Sequence, residues 1–253
     1  MGLTAKHYFS PASNMKYCSA SQIKAFMRCP AAALAELKGE WQREETTALL
    51  VGSYIDSYFE GKLDEFKAEH PEIFKRDGSL KAEYIKAEEI IERVSRDELF
   101  MKYMSGRKQV VKTGCVEGVP VKIKIDSYHK GKAIVDLKII KDFEPIWNEE
   151  KGCREDFITY WGYDIQGALY QAVEGNSLPF YLAAATKETE TDFDVIEVPQ
   201  TWLDDAMLKI RNEIGIIDAY KRGELEAPRC GKCKYCRQTK KLRRVRSADE
   251  FIV

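Results

Sequence analysis

Apolar residues along this chain keep two different periods, and the change between them divides it. In "TTALLVGSYIDSYFEG", Val51, Tyr54, Ile55, Tyr58 and Phe59 follow i, i+3, i+4, i+7, i+8, the stripe of an amphipathic helix that Gly61 would stop. Upstream, Ser19 or Ser21 can cap a helix through "QIKAFMRCPAAALAEL", which Pro30 should kink or split. Downstream, the charged segment from about Leu80 to Met104 favours helix around "AEYIKAEEIIERV". The period then shortens to two, and "KQVVKTGCVE", "VPVKIKIDSY" and "KAIVDLKII" read as consecutive strands. After an acidic loop, "DFITYWGYDIQGALYQAVEG" predicts one helix ended by Gly175. Strands at "LPFYLAAATK" and "DFDVIEV" follow, then a long helix from about Thr201 to Arg222. This order predicts a single α/β domain over 1–253 with a mixed central β-sheet flanked by helices. Its parts are a helical region over 1–105, a sheet core over 106–200, and a C-terminal helix, cysteine cluster and basic tail over 201–253.

Composition narrows the class without choosing a function. Hydrophobic residues make up 44% and charged residues 32% of 253, as in an ordinary globular protein. The formal net charge is −1, so a polyanionic partner has to be met by a local patch rather than a global field. No apolar run approaches the length of a membrane span, and "MGLTAKHYFSPASN" lacks the apolar centre of a secretory signal. Seven cysteines without such a signal predict thiols in a reducing, cytoplasmic setting.

One stretch departs from the apolar pattern. "KIKIDSYHKGKAIVDLKII" alternates like a hairpin but carries Asp126, Asp136 and Lys138 where a strand favours apolar side chains. Alternation puts Lys122, Lys124 and Asp126 on one face, with Val121, Ile123 and Ile125 on the other. A three-residue loop, Lys130 to Lys132, with Gly131 left-handed at its centre, would set Asp126 directly opposite Asp136. Their side chains would then point the same way, roughly 5 Å apart. Two carboxylates that close repel unless a cation lies between them, and such oxygen ligands suit Mg²⁺ or Mn²⁺. Lys138, one strand repeat on, would reach a bound anion or a water. The bland alternative is a pair of solvent-facing charges on an edge hairpin, since short charged patterns recur by chance.

Asp126, nine residues, then Asp136-Leu137-Lys138 resembles the PD-(D/E)XK nuclease superfamily. Further motifs resemble its RecB-type branch and the RecE-like prophage exonucleases. They are "SASQIKAFMRCP", "LLVGSYIDSYFEG", Gln166-x-x-x-Tyr170 in "YDIQGALYQAV", and "RCGKCKYCRQTKKL", in the family's order over 19 to about 241. The resemblance implies a restriction-endonuclease-like core and a Mg²⁺-dependent DNA exonuclease acting at duplex ends, of the prophage recombination type. It also implies Asp126, Asp136 and the Leu137 carbonyl as metal ligands and Lys138 as the lysine that positions the attacking water. Asp56 stands where many RecB-type nucleases have histidine, and a carboxylate is the better Mg²⁺ ligand. Ile125 replaces the family's proline, and the second acid is Asp136 rather than glutamate. Gln166 and Tyr170, with Tyr163 one turn earlier, share a helix face and by resemblance hold substrate near the metal. Double-stranded DNA, a single-strand-annealing recombination protein and a ring-like homo-oligomer follow from the resemblance alone, and no membrane is implied.

Cys230, Cys233 and Cys236 fall within seven residues, and Cys29 of the "RCP" helix would make a fourth ligand. A [4Fe–4S] cluster, as in some RecB-type nucleases, a zinc ion, or four free thiols all fit that spacing. Cys18, Cys115 and Cys153 show no ligand spacing. The tail residues Lys240, Lys241, Arg243, Arg244 and Arg246 would track a phosphate backbone or form a solvated end. Two rival readings stay open beside the exonuclease. One is a CRISPR-adaptation-type iron–sulfur nuclease, the other a non-catalytic DNA-binding module of the same fold.

Overall fold

The computed structural model describes residues 3–44, 46–242 and 244–251. The helical region begins with α1 (Pro11–Lys16) and continues into α2 (Ala20–Arg28), capped by Ser19, whose Oγ accepts from the Gln22 amide at 3.4 Å. Pro30 does split the expected helix. Cys29 is extended between α2 and α3 (Pro30–Leu37), because a proline cannot donate the helical bond and constrains the residue before it. The apolar stripe from Val51 forms α4 (Thr47–Phe59), followed by Gly61 at φ +73°. The short α5 (Leu63–Glu69) lies outside the sequence expectation. The segment expected as helix near 80–104 is two helices, α6 (Ala82–Ser95) and α7 (Glu98–Met104), because Asp97 is extended and caps the second.

The sheet runs β1 (Arg107–Val116), β2 (Val119–His129), β3 (Ala133–Ile140), β6 (Phe180–Thr186) and β7 (Phe193–Glu197) in that spatial order. Only the β3–β6 pair is parallel, so the sheet is mixed and β3 is its central strand. Between β3 and β6 the chain forms a small hairpin, β4 (Ile146–Asn148) with β5 (Cys153–Glu155), where an acidic loop was expected. It then forms α8 (Phe157–Trp161) and α9 (Tyr163–Glu174). These two were expected as one helix. Gly162 at φ +66° separates them, and a side chain there would sit 2.7 Å from Lys24 Cδ. The chain continues through α10 (Gln200–Arg222) to α11 (Lys234–Gln238).

Alternate residues of β3 enter two cores, one on each face of the sheet. Ile134 and Ile140 join a cluster with α2, α9 and α10, whereas Val135 and Leu137 join one with α4, α6 and α7. Asp136 and Lys138 interrupt the first series. The β2 face that carries Lys122, Lys124 and Asp126 is covered at Lys122. Lys122 is 1% exposed and donates to the Tyr8 carbonyl, Ser13 Oγ and Asn14 Oδ1, because the amino-terminal segment packs over β2. Among the described residues no helix is long and apolar enough to cross a membrane.

Candidate active site

The hairpin register is the one its loop predicts. Lys130 to Lys132 connect the strands, Gly131 has φ +68°, and Ser127, Tyr128 and His129 pair with Val135, Ile134 and Ala133. One step further, Asp126 faces Asp136, but the ladder stops there and the strands part. The Asp126 side chain takes over: its Oδ2 accepts from the Leu137 backbone N–H at 3.1 Å. Further along, the β2 edge left free by β3 is occupied by Cys18, whose N–H bonds the Pro120 carbonyl and whose carbonyl accepts from Lys122 N–H, both at 2.9 Å. The site thus lies in a fork between two strands. Both aspartates are held at its apex.

Asp136 is 1% exposed in the central strand, which excludes the solvent-facing edge hairpin. Its Oδ1 accepts from Gln166 Nε2 at 2.7 Å, and its Oδ2 forms an ion pair with Lys138 Nζ but no hydrogen bond of regular geometry. Lys138 has its ammonium 5.1 Å from the Tyr163 ring centroid. Burial opposes its charge, yet Asp136 and Asp126 more than offset that and raise its pKa, so it stays protonated. Gln166 Nε2 also donates to Tyr170 Oη at 2.9 Å, and that hydroxyl donates to the Lys124 carbonyl at 2.7 Å. Asp136 is therefore tied through Gln166 and Tyr170 to the backbone of β2. Tyr170 is 5% exposed with its hydroxyl occupied, so its contact is with the protein.

From α4, Asp56 faces the same charges. Burial raises its carboxyl to about 7, helped by Asp136 and Glu60 and opposed by Lys138 and Lys124. Asp126 is raised as well, by burial, Asp136 and Asp56. Two carboxyls raised by burial and by a neighbouring aspartate are what a divalent cation would stabilise as anions. Among the described residues, the oxygens of Asp56, Asp126 and Asp136 do not all come within 4.8 Å of one another, so the trio is not a closed cage. Gln109 Oε1 is buried there without a hydrogen bond, and Asp136 Oδ2 has only the Lys138 ammonium as partner. Asp56, Asp126, Asp136 and the Leu137 carbonyl form an all-oxygen donor set, and it fits Mg²⁺ or Mn²⁺.

Two neighbours escaped sequence reading. Gln109 lies in β1 at φ +52°, where the register skips its pairing with Asp126, and its Nε2 is 3.4 Å from Asp126 Oδ1. No local signal marks a glutamine for a left-handed conformation inside a strand. Lys24 reaches in from α2, with Nζ 3.2 Å from the Trp161 carbonyl and 5.5 Å from the Tyr163 ring centroid. Only the tertiary fold brings it there.

The structure also gathers the four cysteines. The sulfurs of Cys29, Cys230, Cys233 and Cys236 all lie within 4.8 Å of one another, with Cys29 to Cys236 at 3.6 Å and Cys230 to Cys236 at 3.9 Å. Burial opposes a thiolate at Cys230, but the backbone amides of Cys233 and Lys232 override it and bring that thiol down to about 6. Of the other cysteines, Cys18 is buried, and Cys115 and Cys153 are exposed. In the tail, Lys240 and Lys241 are exposed, Arg244 and Arg246 pair with Glu250, and Arg243 lies outside the described residues.

Two expected results follow from this geometry. Tyr170→Phe removes the donor to the buried Lys124 carbonyl and frees Gln166. It should lower stability by about 1–3 kcal/mol, read from urea midpoints, and raise the Mg²⁺ concentration needed for half-maximal activity. The second concerns pH. A carboxyl raised on folding, as at Asp56 and Asp126, binds more protons folded than unfolded, so stability falls as pH rises from about 4 to about 7. Without added Mg²⁺ the urea midpoint should be higher at about pH 5.5 than at about pH 7.5, and Mg²⁺ should shrink the difference.

A family model described as "PDDEXK-like domain of unknown function (DUF3799)" matches residues 19–239. The chain is also similar to the crystal structure of a "Putative exonuclease" from Eubacterium rectale, at 45% sequence identity and a TM-score of 0.94. The match covers 100% of this chain and 98% of that one. No curated protein matches.

Proposed function

This chain belongs to the PDDEXK-like DUF3799 family, and on that premise we propose that it is a Mg²⁺-dependent DNA exonuclease that hydrolyses phosphodiester bonds at duplex ends. The observation that carries the reading is the ion pair of buried Asp136 with half-buried Lys138 in the central strand, forked against Asp126 and faced by Asp56. Asp56, Asp126, Asp136 and the Leu137 carbonyl would hold the cation. When bound, it supplies positive charge against the phosphate and acidifies a water.

The protein's own groups supply the rest. Lys138, kept protonated by its aspartates, is a donor and not a general base; it orients the attacking water and offsets charge on the phosphate oxygens. Tyr163 lies under that ammonium and limits its motion. Gln166 and Tyr170 act as positioning residues that fix Asp136. Prophage-type recombination, an annealing-protein partner and a ring-like homo-oligomer rest on family resemblance alone. The test is digestion of linear against covalently closed circular duplex with Mg²⁺. Loss of the linear form with the circle intact is expected, and cutting of the circle would overturn the exonuclease assignment.

The cysteine quartet favours a single ion over a cluster. A zinc tetrahedron with arms of about 2.3 Å separates its thiolates by about 3.8 Å; two of the six sulfur pairs are at 3.6 and 3.9 Å, and all lie within 4.8 Å. Four irons at the corners of a cube would push the sulfurs further apart. The ion would join α2–α3 to the C-terminal segment, beside the Ala31 N–H to Pro228 carbonyl bond of 3.1 Å and the edge-on contact of Trp41 with Tyr235. It would close the fold and take no part in hydrolysis.

A further inference from the structure

A cleft of about 590 Å³ opens beside the site, between the β4–β5 hairpin, α8 and α2. Two indoles line it while largely open to solvent: Trp147 on the hairpin is 57% exposed and Trp161 at the end of α8 is 41% exposed. Tyr160 packs edge-on against Trp161 at 5.0 Å, so aromatic surface covers one side. Large aromatic side chains are usually among the first to be buried, and two left open on one cleft mark a binding surface.

The cleft's α2 side carries two cations. Lys24 lies there, its stem crossing Gly162 where no Cβ intrudes, and its ammonium faces the same Tyr163 ring as Lys138. Arg28 is one turn further along α2. Among the described residues no carboxylate forms an ion pair with Lys24. Burial, with Lys138 and then Arg28 nearby, lowers its pKa to about 8. The outer end is net acidic: Glu149, Glu150 and Glu155 line it on the hairpin, against one cation, Lys151, which is paired with Glu155. A phosphate chain is favoured beside Lys24 and Arg28 and disfavoured at the net acidic mouth, where the indole faces are exposed.

We propose that this cleft binds an unpaired nucleic-acid strand, its bases stacked on Trp147 and Trp161 and its backbone led past Lys24 towards Lys138. An intact duplex keeps its bases turned inward and presents charged backbones to the acidic mouth, so it fits poorly. The proposal depends on the nuclease reading only for the strand's destination at Lys138. Duplex ends would have to be opened before their terminal nucleotides entered.

The test is fluorescence anisotropy of a labelled oligo-dT without added divalent cation, so that binding is read apart from cleavage. Trp147→Ala and Trp161→Ala should each weaken binding by roughly 5- to 100-fold, the range of one lost base stack. Trp147→Phe should largely restore it, and Trp202→Ala, on a residue of α10 that does not line the cleft, should bind as wild type. Closed circular duplex should compete poorly. Wild-type affinity in both alanine variants would overturn the proposal. So would a change of oligomeric state with unchanged DNA binding, which would assign the face to a subunit contact. Oligo-dT binding that follows this pattern in a protein that cuts no DNA with Mg²⁺ would sustain the cleft and refute the nuclease reading; cutting with no effect of either tryptophan would do the reverse.

Discussion

Lys138→Ala is expected to reduce Mg²⁺-dependent cleavage by at least about 100- to 1,000-fold, the scale of removing one preorganised charge from a buried site. Both oxygens of Asp136 depend on neighbours: Gln166 holds one and Lys138 faces the other. Without the ammonium, Asp136, Asp126 and Asp56 are left with their mutual repulsion and less to oppose it. Stability without added Mg²⁺ should therefore fall at neutral pH and recover as the pH drops and the carboxyls take up protons. Lys138→Arg separates the two effects. It keeps the charge, and so most of the stability, but a planar guanidinium does not place a single N–H on the water as an ammonium does, so the rate should stay low. Cleavage rates paired with urea melts at two pH values check both parts. A Lys138→Ala protein that cuts at the wild-type rate would remove the lysine from the site.

The second large effect belongs to the cysteines. The purified protein should contain about one zinc per chain and be colourless. Cys29→Ser and Cys236→Ser should each lose the metal and lower stability by on the order of 3–5 kcal/mol, because the tie between α2–α3 and the C-terminal segment goes with it. Elemental analysis and thermal melts, with and without a chelator, are the measurements. A brown protein that contains iron and absorbs at about 400 nm would replace zinc by an iron–sulfur cluster. Full stability after complete metal removal would show that the quartet needs no ion.

Much of this arrangement was legible because it is local. Gly131 and a three-residue loop set the register of Asp126 against Asp136, and Pro30 divided α2 from α3 as proline chemistry requires. Gln166 and Tyr170 could be paired from helical spacing, although the direction of their hydrogen bonds, towards Asp136 and the Lys124 carbonyl, could not. Gly162 sits in the middle of a helical pattern, where glycine is tolerated, yet it both ends α8 and makes room for Lys24. Asp97 likewise lies inside a helix-favouring segment, though its side chain caps α7. The burial of Lys122 and the approach of Lys24 depend on segments more than a hundred residues away, and no window of sequence contains both partners. Gln109 is the extreme case: its left-handed backbone beside Asp126 persists only because the surrounding sheet imposes it.

In the proposed mechanism, Asp56, Asp126, Asp136 and the Leu137 carbonyl form a divalent-cation site beside Lys138. Anomalous diffraction from crystals soaked in Mn²⁺ tests it most directly. The mechanism predicts a manganese peak within ligand distance of Asp126 and Asp136 that disappears in Asp136→Ala. No peak at the fork under conditions where the protein cuts DNA, or a peak that survives that substitution, would contradict it.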